Sequence, residues 1–341
     1  MPHRKAAVAH LTPRAPFAFD LALDYLRGSP SAVIERIEGG GYLRPVTLHG
    51  RLFVLRVSSV GDTDQPCLRV ELAGQDLSQE DARAAVDLTR RIFTTDHDLA
   101  ELSAIAEADP VFGRLVRRFR GLRPVVIADP FEAIVWAILG QQINITFAAK
   151  LKRALVDRFG TTIERDGLTL SVFPPPERLA ALEHERDLLP LQFSRQKSRY
   201  TIALARAVCE GRIDLVHAGT LPPEEAIAAL MAFPGIGRWT AEYALMRAFG
   251  HPDVMPAGDG GLKQIIGREY GLGRQATETE IRTLGERWRG WRGYAAFYWW
   301  FQLQQETRAR RTAKAGAVAP APTGIGGGPV ESATGQTRRR R

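Results

Sequence analysis

The sequence predicts an α+β protein that is mostly α-helical, with a small antiparallel sheet domain at its N-terminus. Strand-like alternation is confined to the stretch from Pro45 to Gly74, and nearly every segment after Asp98 carries helix start and stop signals. The chain has 341 residues, of which 45% are apolar, so composition allows two or three compact units with their own cores.

Three short runs are predicted to form the sheet: Val46–Leu48, Leu52–Val57 and Leu68–Leu72. In the last run the apolar residues alternate with Arg69 and Glu71, which is the period of a half-buried antiparallel strand. Helical segments are expected on both sides of these strands, so the first third of the chain mixes the two kinds of element.

Helix boundaries are marked by capping residues. Ser78 and Asp81 have capping-box spacing, and Asp129 followed by Pro130 has the order of an N-cap and a first helical residue. Gly140 is expected to end that helix, and Gly160 is expected to end the next one as a left-handed C′ residue. The predicted helices are Asp20–Arg27, Ser78–Phe93, Pro130–Gly140, Thr146–Phe159, Pro176–Glu183 and Arg195–Glu210.

Charge is concentrated at the C-terminal end. The formal net charge is +8, but residues 307–341 hold eight Lys or Arg residues and one acid, so they contribute +7 and leave +1 for the rest. This end is rich in Ala, Pro and Gly, and we expect residues 307–341 to be a disordered basic tail. A nearly neutral body predicts few phosphate contacts and a shallow salt dependence of any nucleic-acid binding.

Cysteine and histidine usage excludes several classes of site. The two cysteines, Cys67 and Cys209, cannot form a disulfide framework, a four-cysteine zinc site or an iron–sulfur cluster. No divalent-metal constellation is visible among the seven histidines, and no apolar run approaches the roughly 20 residues of a membrane span. We therefore expect a soluble, cytoplasmic protein without a membrane partner.

A glycine-rich bend separates two short predicted helices within residues 223–250. In Pro234-Gly235-Ile236-Gly237 the two glycines allow the backbone to approach another molecule closely, and the amides that open the next helix suit a phosphate oxygen. An ordinary connection between helices is the alternative for an isolated bend of this kind. A duplex backbone is the ligand that the pattern favours.

An acidic residue follows the glycine-rich bend. Asp259 lies 22 residues after Gly237, on a glycine-rich turn before a helical segment. Its structural role would be to cap that helix, and capping is compatible with a chemical role.

Four segments, in this order, are similar to the helix–hairpin–helix DNA glycosylases: Leu11–Phe17, Pro130–Gln142, Phe233–Ala241 and Glu286–Ala295. The resemblance extends from Leu11 to Gln305 and points to the alkylation-repair branch, typified by bacterial 3-methyladenine DNA glycosylase II. It implies an N-terminal α+β domain followed by a two-lobed helical glycosylase fold. The implied units are 1–104, a helical domain of 130–251 containing the hairpin, and a second lobe of 105–129 with 252–306.

The resemblance implies a monofunctional DNA glycosylase that excises alkylated bases from duplex DNA, such as 3-methyladenine and 7-methylguanine, in the first step of base excision repair. Asp259 becomes the catalytic residue, because an anion can stabilise the oxocarbenium-like sugar and orient the attacking water. Trp239 stands where strand-cutting branches have a lysine nucleophile, so an abasic product is expected. The protein would be a monomer, associated with the bacterial nucleoid.

The resemblance also implies a base pocket and a DNA surface. Trp239, Tyr243 and Trp300, with Tyr25 from the N-terminal domain, would bind a cationic base by stacking and cation–π attraction, although aromatic residues at such spacing can also be core. Gln142 would fill the gap left by the extruded nucleotide. The residues implied to contact DNA are Gln142, Gly235, Gly237, Arg238 and Thr240.

Two further expectations concern this pocket and bend. Gly260 and Gly261 replace bulky residues that often follow the acid in the family, which should widen the pocket. No cofactor is required, but Na⁺ or K⁺ could be held by the main-chain carbonyls of Met231, Phe233 and Gly235. Two other functions stay open: a glycosylase for oxidised or deaminated bases, and a catalytically silent module that binds lesions in DNA.

Overall fold

The computed structural model of the protein describes residues 5–165 and 167–317. The N-terminal part is a five-stranded antiparallel sheet in the order β1-β5-β4-β3-β2, with helices before and after its central strands. Its elements are β1 (Lys5–Leu11), α1 (Phe19–Gly28), β2 (Arg36–Glu38), β3 (Gly41–Leu48), β4 (Arg51–Ser59), β5 (Leu68–Gly74) and α2 (Gln79–Ile92). The predicted sheet is confirmed, and its three predicted runs lie in β3, β4 and β5.

Two edge strands were not predicted. β1 pairs along its whole length with β5, where Leu11 lies opposite Leu68, and β2 adds three residues to the other edge. Edge strands show weaker hydrophobic alternation in the sequence because one of their sides has no partner strand. In β1, for example, Val8 is 47% exposed. The capping box of α2 is confirmed, since the Asp81 backbone N–H donates to Ser78 Oγ at 3.1 Å.

The remainder is mainly helical. Its helices are α3 (Ala100–Ala108), α4 (Pro110–Arg118), α5 (Pro130–Gly140), α6 (Ile145–Phe159), α7 (Pro176–Ala180), α8 (Arg195–Cys209), α9 (Leu215–Ala218), α10 (Pro223–Met231), α11 (Arg238–Ala248), α12 (Gly260–Glu269), α13 (Glu278–Gly285) and α14 (Arg292–Ala317). Helix α5 begins where predicted, because the Asp129 side chain accepts from the Phe131 N–H at 2.9 Å. It also ends at Gly140 as predicted.

Helix α6 ends before Gly160 as predicted, but the predicted left-handed conformation of Gly160 was wrong. Gly160 has φ −72, which is not left-handed, and a Cβ there would lie 2.3 Å from the Val172 carbonyl oxygen. Glycine is therefore needed for space, because an unpredicted hairpin of β6 (Thr161–Arg165) and β7 (Leu168–Val172) packs against it.

Helix α5 forms the centre of the helical part. Every residue from Phe131 to Leu139 is buried, and α5 packs against α6, α8 and α11. A helix that is apolar on all sides apart from one buried acid, Glu132, belongs inside a core. The loop that follows its C-terminal end lies against the bend between α10 and α11, where Gln141 Nε2 donates to the Gly235 carbonyl oxygen.

The last helix is longer than expected. Helix α14 continues past Thr307 to Ala317, so the predicted disorder is wrong for residues 307–317. Ala, Arg and Lys are strong helix formers, and they extend a helix that is already nucleated. Residues 318–341 lie outside the described residues. Neither α14 nor any other helix in the described ranges is long and apolar enough to cross a membrane.

Candidate active site

The predicted bend joins α10 to α11. Gly235 has φ 89, in the left-handed region, and a Cβ there would lie 2.3 Å from the Tyr200 ring. Gly237 is the N-cap of α11, and a Cβ there would meet nothing within 4 Å. Within residues 5–165 and 167–317, no side chain caps the first amides of α11. The bend therefore presents helix N–H groups over open space, which is the arrangement that suits a phosphate.

Asp259 is the N-cap of α12, as predicted. Its Oδ1 accepts from the Leu262 backbone N–H at 2.9 Å and from Trp300 Nε1 at 3.0 Å. Among the described residues no group donates to its second oxygen, Oδ2. The carboxylate is thus fixed through one oxygen, while the other stays available.

Three of the predicted pocket residues form a row of rings beside Asp259. The ring centroids of Trp239 and Tyr243 are 5.6 Å apart, and those of Tyr243 and Trp300 are 5.7 Å apart. Because Trp300 also donates to Asp259, the row ends at the carboxylate. Trp239 and Trp300 are half-buried.

Tyr243, in the middle of the row, is held by a residue that sequence reasoning missed. Its hydroxyl oxygen accepts from Trp136 Nε1 at 2.8 Å. Burial raises the pKa of Tyr243 well above its usual range, so its phenol stays neutral. Trp136 lies in helix α5, which is apolar apart from Glu132, so no periodic signal distinguishes it.

Other aromatic residues of the C-terminal region belong to the core. Tyr294, Phe297, Tyr298, Trp299 and Phe301 are each at most 1% exposed. The core alternative therefore applies to them and not to Trp300, which lies on the same helix.

Tyr25 lies in a second buried group rather than in the row. Its ring centroid is 4.5 Å from that of Phe297, and its hydroxyl oxygen accepts from the Arg247 guanidinium. Arg247 is 1% exposed, and its positive charge acts against the rise in the pKa of Tyr243 that burial causes. This second group therefore lies next to the row. Arg247 was missed, although it follows Tyr243 by four residues and so lies on the same helix face.

The loop after α5 approaches the bend. Gln141 Nε2 donates to the Gly235 carbonyl oxygen at 2.7 Å and to Thr240 Oγ1 at 2.9 Å. Gln142, the next residue, is exposed with φ 55. Thr240 is only 2% exposed, so its side chain supports the loop and does not face outward as a DNA contact would.

Arg238 is exposed at the start of α11, but its guanidinium is already paired. It contacts Glu224 at 2.8 Å and Glu242 at 3.0 Å. Burial raises the pKa of Glu242, while Arg282 and Arg238 act against that rise. A phosphate contact of Arg238 would have to displace the exposed Glu224, because Glu242 is buried.

Comparison with known proteins places this geometry in a family. Residues 135–290 match the model of the HhH-GPD superfamily of base excision DNA repair proteins, and residues 8–128 match the AlkA N-terminal domain. The DNA-3-methyladenine glycosylase of Bacillus subtilis is 33% identical over 284 residues, which cover 83% of this chain and 93% of that protein. The chain belongs to the HhH-GPD superfamily.

Other HhH-GPD relatives agree. The DNA-3-methyladenine glycosylase 2 of Escherichia coli is 36% identical over 189 residues, covering 55% of this chain and 63% of that protein. The structure of a 3-methyladenine DNA glycosylase from Archaeoglobus fulgidus superposes with a TM-score of 0.75 at 24% identity, covering 87% of this chain and 98% of that one. That likeness supports the predicted two-lobed helical fold with its N-terminal sheet.

In this HhH-GPD chain two of the three predicted cation ligands, Phe233 and Gly235, already accept hydrogen bonds through their carbonyl oxygens. The Gly235 carbonyl oxygen accepts from Gln141, and the Phe233 carbonyl oxygen accepts from the Ile236 N–H at 3.2 Å. Met231 is the last residue of α10. A carbonyl oxygen has two lone pairs, so these bonds leave room for Na⁺ or K⁺, and the cation stays a prediction.

Proposed function

We propose that the protein is a monofunctional DNA glycosylase that removes alkylated bases, of the 3-methyladenine and 7-methylguanine type, from duplex DNA by hydrolysing the N-glycosidic bond. Release of the base is the first step of base excision repair. The observation that carries the proposal is the hydrogen bond from Trp300 to Asp259, which joins the carboxylate to a row of three aromatic rings.

The row of rings suits the substrate class. A purine alkylated at a ring nitrogen is cationic, and a cation over an aromatic face gains about 0.5 to 2 kcal/mol per contact. Trp239, Tyr243 and Trp300 supply adjacent faces at 5.6 and 5.7 Å between centroids. Such a base is also a good leaving group, so no general acid is required at its ring.

Asp259 supplies the charge that the sugar needs. As the C–N bond breaks, positive charge develops on the deoxyribose, and an anion fixed nearby stabilises it. The donors on Oδ1 hold the carboxylate in one orientation, and Oδ2 can face the sugar or accept a proton from the attacking water.

The bend and the loop beside it would bind the DNA. The N–H groups that open α11 donate to the oxygens of a backbone phosphate, with Gly235 and Gly237 allowing close approach. Gln142 enters the stack where the nucleotide has left, and its amide can hydrogen-bond the unpaired base. Arg238 would join the phosphate contact after releasing Glu224.

The residue at position 239 supports base excision without strand cleavage. A strand-cutting glycosylase needs an amine that attacks the sugar, and this position holds an indole whose ring belongs to the aromatic row. The expected product is an abasic site in an intact strand.

The test uses three duplexes that differ in one base: 7-methylguanine, 8-oxoguanine or hypoxanthine. The full-length protein is incubated with each, the released base is identified by mass spectrometry, and the strands are analysed before and after alkali. We expect free 7-methylguanine and strand cleavage only after alkali. Release of 8-oxoguanine or hypoxanthine alone would favour the other excision specificities, and binding without any release would favour the silent module.

A further inference from the structure

Lys197 is a buried lysine that the proposed chemistry does not use. It lies on α8 and is 8% exposed, and its ammonium donates to the carbonyl oxygens of Ile138 at 3.0 Å and Gln141 at 2.6 Å. Both acceptors lie at the C-terminal end of α5, where the last carbonyls lack their usual helical partners, and the Ile138 carbonyl oxygen also accepts from the Gln141 N–H at 3.3 Å. Lys197 therefore caps the helix that leads into the Gln142 loop.

No carboxylate in the described part of the chain pairs with Lys197. A buried cation without a counter-ion has a desolvation cost, and burial lowers the pKa of this ammonium. A methionine or leucine would fill the same space without that cost. The lysine is therefore explained by the two carbonyl oxygens that its ammonium holds in place.

Gln141, whose carbonyl oxygen Lys197 binds, also contacts the bend. The Gln141 carbonyl accepts from Lys197, while the Gln141 side chain donates to Gly235 and Thr240. One residue thus connects α8, the end of α5 and the DNA-facing bend.

Gln142 follows directly and has a conformation that needs support. Its φ of 55 lies in the left-handed region, which is strained for a residue other than glycine. With its backbone turned this way, its side chain is exposed beside the bend. If the peptide of Gln141 were released, Gln142 could relax to an ordinary conformation and move away.

We propose that Lys197 is a positioning residue for nucleotide extrusion: through Gln141 it holds Gln142 at a fixed place beside the Gly235 bend, ready to enter the stack. This inference rests on the proposed function, because it assumes that a nucleotide leaves the duplex. Lys197 would therefore affect extrusion of the nucleotide, which comes before hydrolysis of the N-glycosidic bond, and not the hydrolysis itself.

The test compares Lys197→Met with Lys150→Met, which removes an exposed lysine of α6 and serves as the charge control. Extrusion is followed by the fluorescence of 2-aminopurine placed beside the lesion. A duplex with a tetrahydrofuran abasic analogue measures binding that needs no extrusion. We expect Lys197→Met to lower the extrusion signal and the single-turnover rate about tenfold, with abasic-duplex affinity within twofold of the wild type.

Two further variants keep the inference testable. Lys197→Arg should restore most of the extrusion signal, because a guanidinium can also donate to both carbonyls. Gln141→Leu should reproduce the extrusion defect, and it carries the test if Lys197→Met does not fold. An unchanged extrusion signal in the folded variants, or an equal loss of extrusion and abasic-duplex binding, would overturn the inference. If the wild type releases no base, the fluorescence and binding measurements still decide it.

Discussion

At the residue scale, the two glycines after the acid have different surroundings. A Cβ on Gly260 would meet nothing within 4 Å, whereas a Cβ on Gly261 would lie 3.0 Å from Asp259 Oδ1 and 3.2 Å from Leu303 Cδ2. The sequence predicted that both would widen the pocket. In the structure only Gly261 lies so close to the carboxylate that a side chain there would crowd it, and the wider pocket stays a prediction.

Alanine substitutions separate these two glycines. We expect Gly261→Ala to lower the single-turnover rate by about tenfold, because the methyl group must push the carboxylate or Leu303 aside, and tenfold corresponds to roughly 1.4 kcal/mol. Gly260→Ala, the matched control, should stay within twofold. Equal effects of the two variants would contradict this assignment.

The indole N–H of Trp300 can be removed while its ring area is largely kept. A hydrogen bond to a charged group contributes about 1.5 to 3 kcal/mol, so Trp300→Phe should lower kcat by roughly tenfold to a hundredfold. KM should change less, since an aromatic face remains. Steady-state kinetics on 7-methylguanine duplex checks this, and a change confined to KM would mean that the N–H does not orient Asp259.

At the element scale, helix α13, which packs against α12, has a complete capping box. The Thr277 N–H donates to Glu280 Oε2 at 2.7 Å, and the Glu280 N–H donates to Thr277 Oγ1 at 3.2 Å. The Arg274 side chain, followed by the Thr277 groups, lowers the pKa of Glu280 to about 2.

A carboxylate with a lowered folded-state pKa stabilises the protein above its ordinary pKa, and this contribution is lost as the pH falls toward about 2. Glu280→Gln should therefore lower Tm at pH 7, and the difference from the wild type should narrow between pH 4.5 and pH 3. Glu225→Gln, at an exposed first-turn position of α10, is the control. Calorimetry measures both, and a difference that is independent of pH would refute the assignment.

Capping residues, turn residues and hydrophobic periodicity predicted the helices and strands. They could not predict contacts between residues that are far apart in the sequence. The caps at Asp129 and Asp259 could be predicted because their partners lie within three residues. Asp166-Gly167 is a turn pair typical of hairpins, so the β6–β7 hairpin could have been predicted. Its packing partners, Leu43 and Val54, are far away in sequence.

The site shows the same division between local and distant contacts. Asp259, Trp239 and Trp300 were predicted from the family resemblance, while Trp136 and Lys197 were not. Trp136 is 107 residues from its partner Tyr243, and Lys197 is 56 residues from Gln141. Only folding brings such pairs together, and no spacing in the sequence marks them.

At the scale of the whole molecule, buried charges connect the N-terminal sheet to the helical part. Arg44 on β3 pairs with Glu35 and with Glu132 on α5, and Glu132 also pairs with Lys152 on α6. All four side chains are at most 5% exposed. Removing one partner from such a group typically costs about 3 to 5 kcal/mol, so these charges fix how the two parts are joined.

The charge of residues 318–341 should make DNA affinity depend more strongly on salt. Residues 318–341 contain four arginines and one acid. If those arginines contact phosphates, deleting residues 318–341 should reduce the slope of log Kd against log salt by up to about 4, because each contact releases about 0.9 counterion. Binding measured between 50 and 200 mM salt tests this, and identical slopes would show that the tail does not touch DNA.

The central claim is that the Asp259 carboxylate drives release of the base, and the single-turnover rate of Asp259→Asn on 7-methylguanine duplex tests it most directly. Asparagine is also a good N-cap, so Tm should be unchanged, and the rate should fall at least about a hundredfold. Asp214→Asn, which alters another N-cap aspartate at α9, should keep the wild-type rate. A folded Asp259→Asn protein that releases the base at the wild-type rate would contradict the claim.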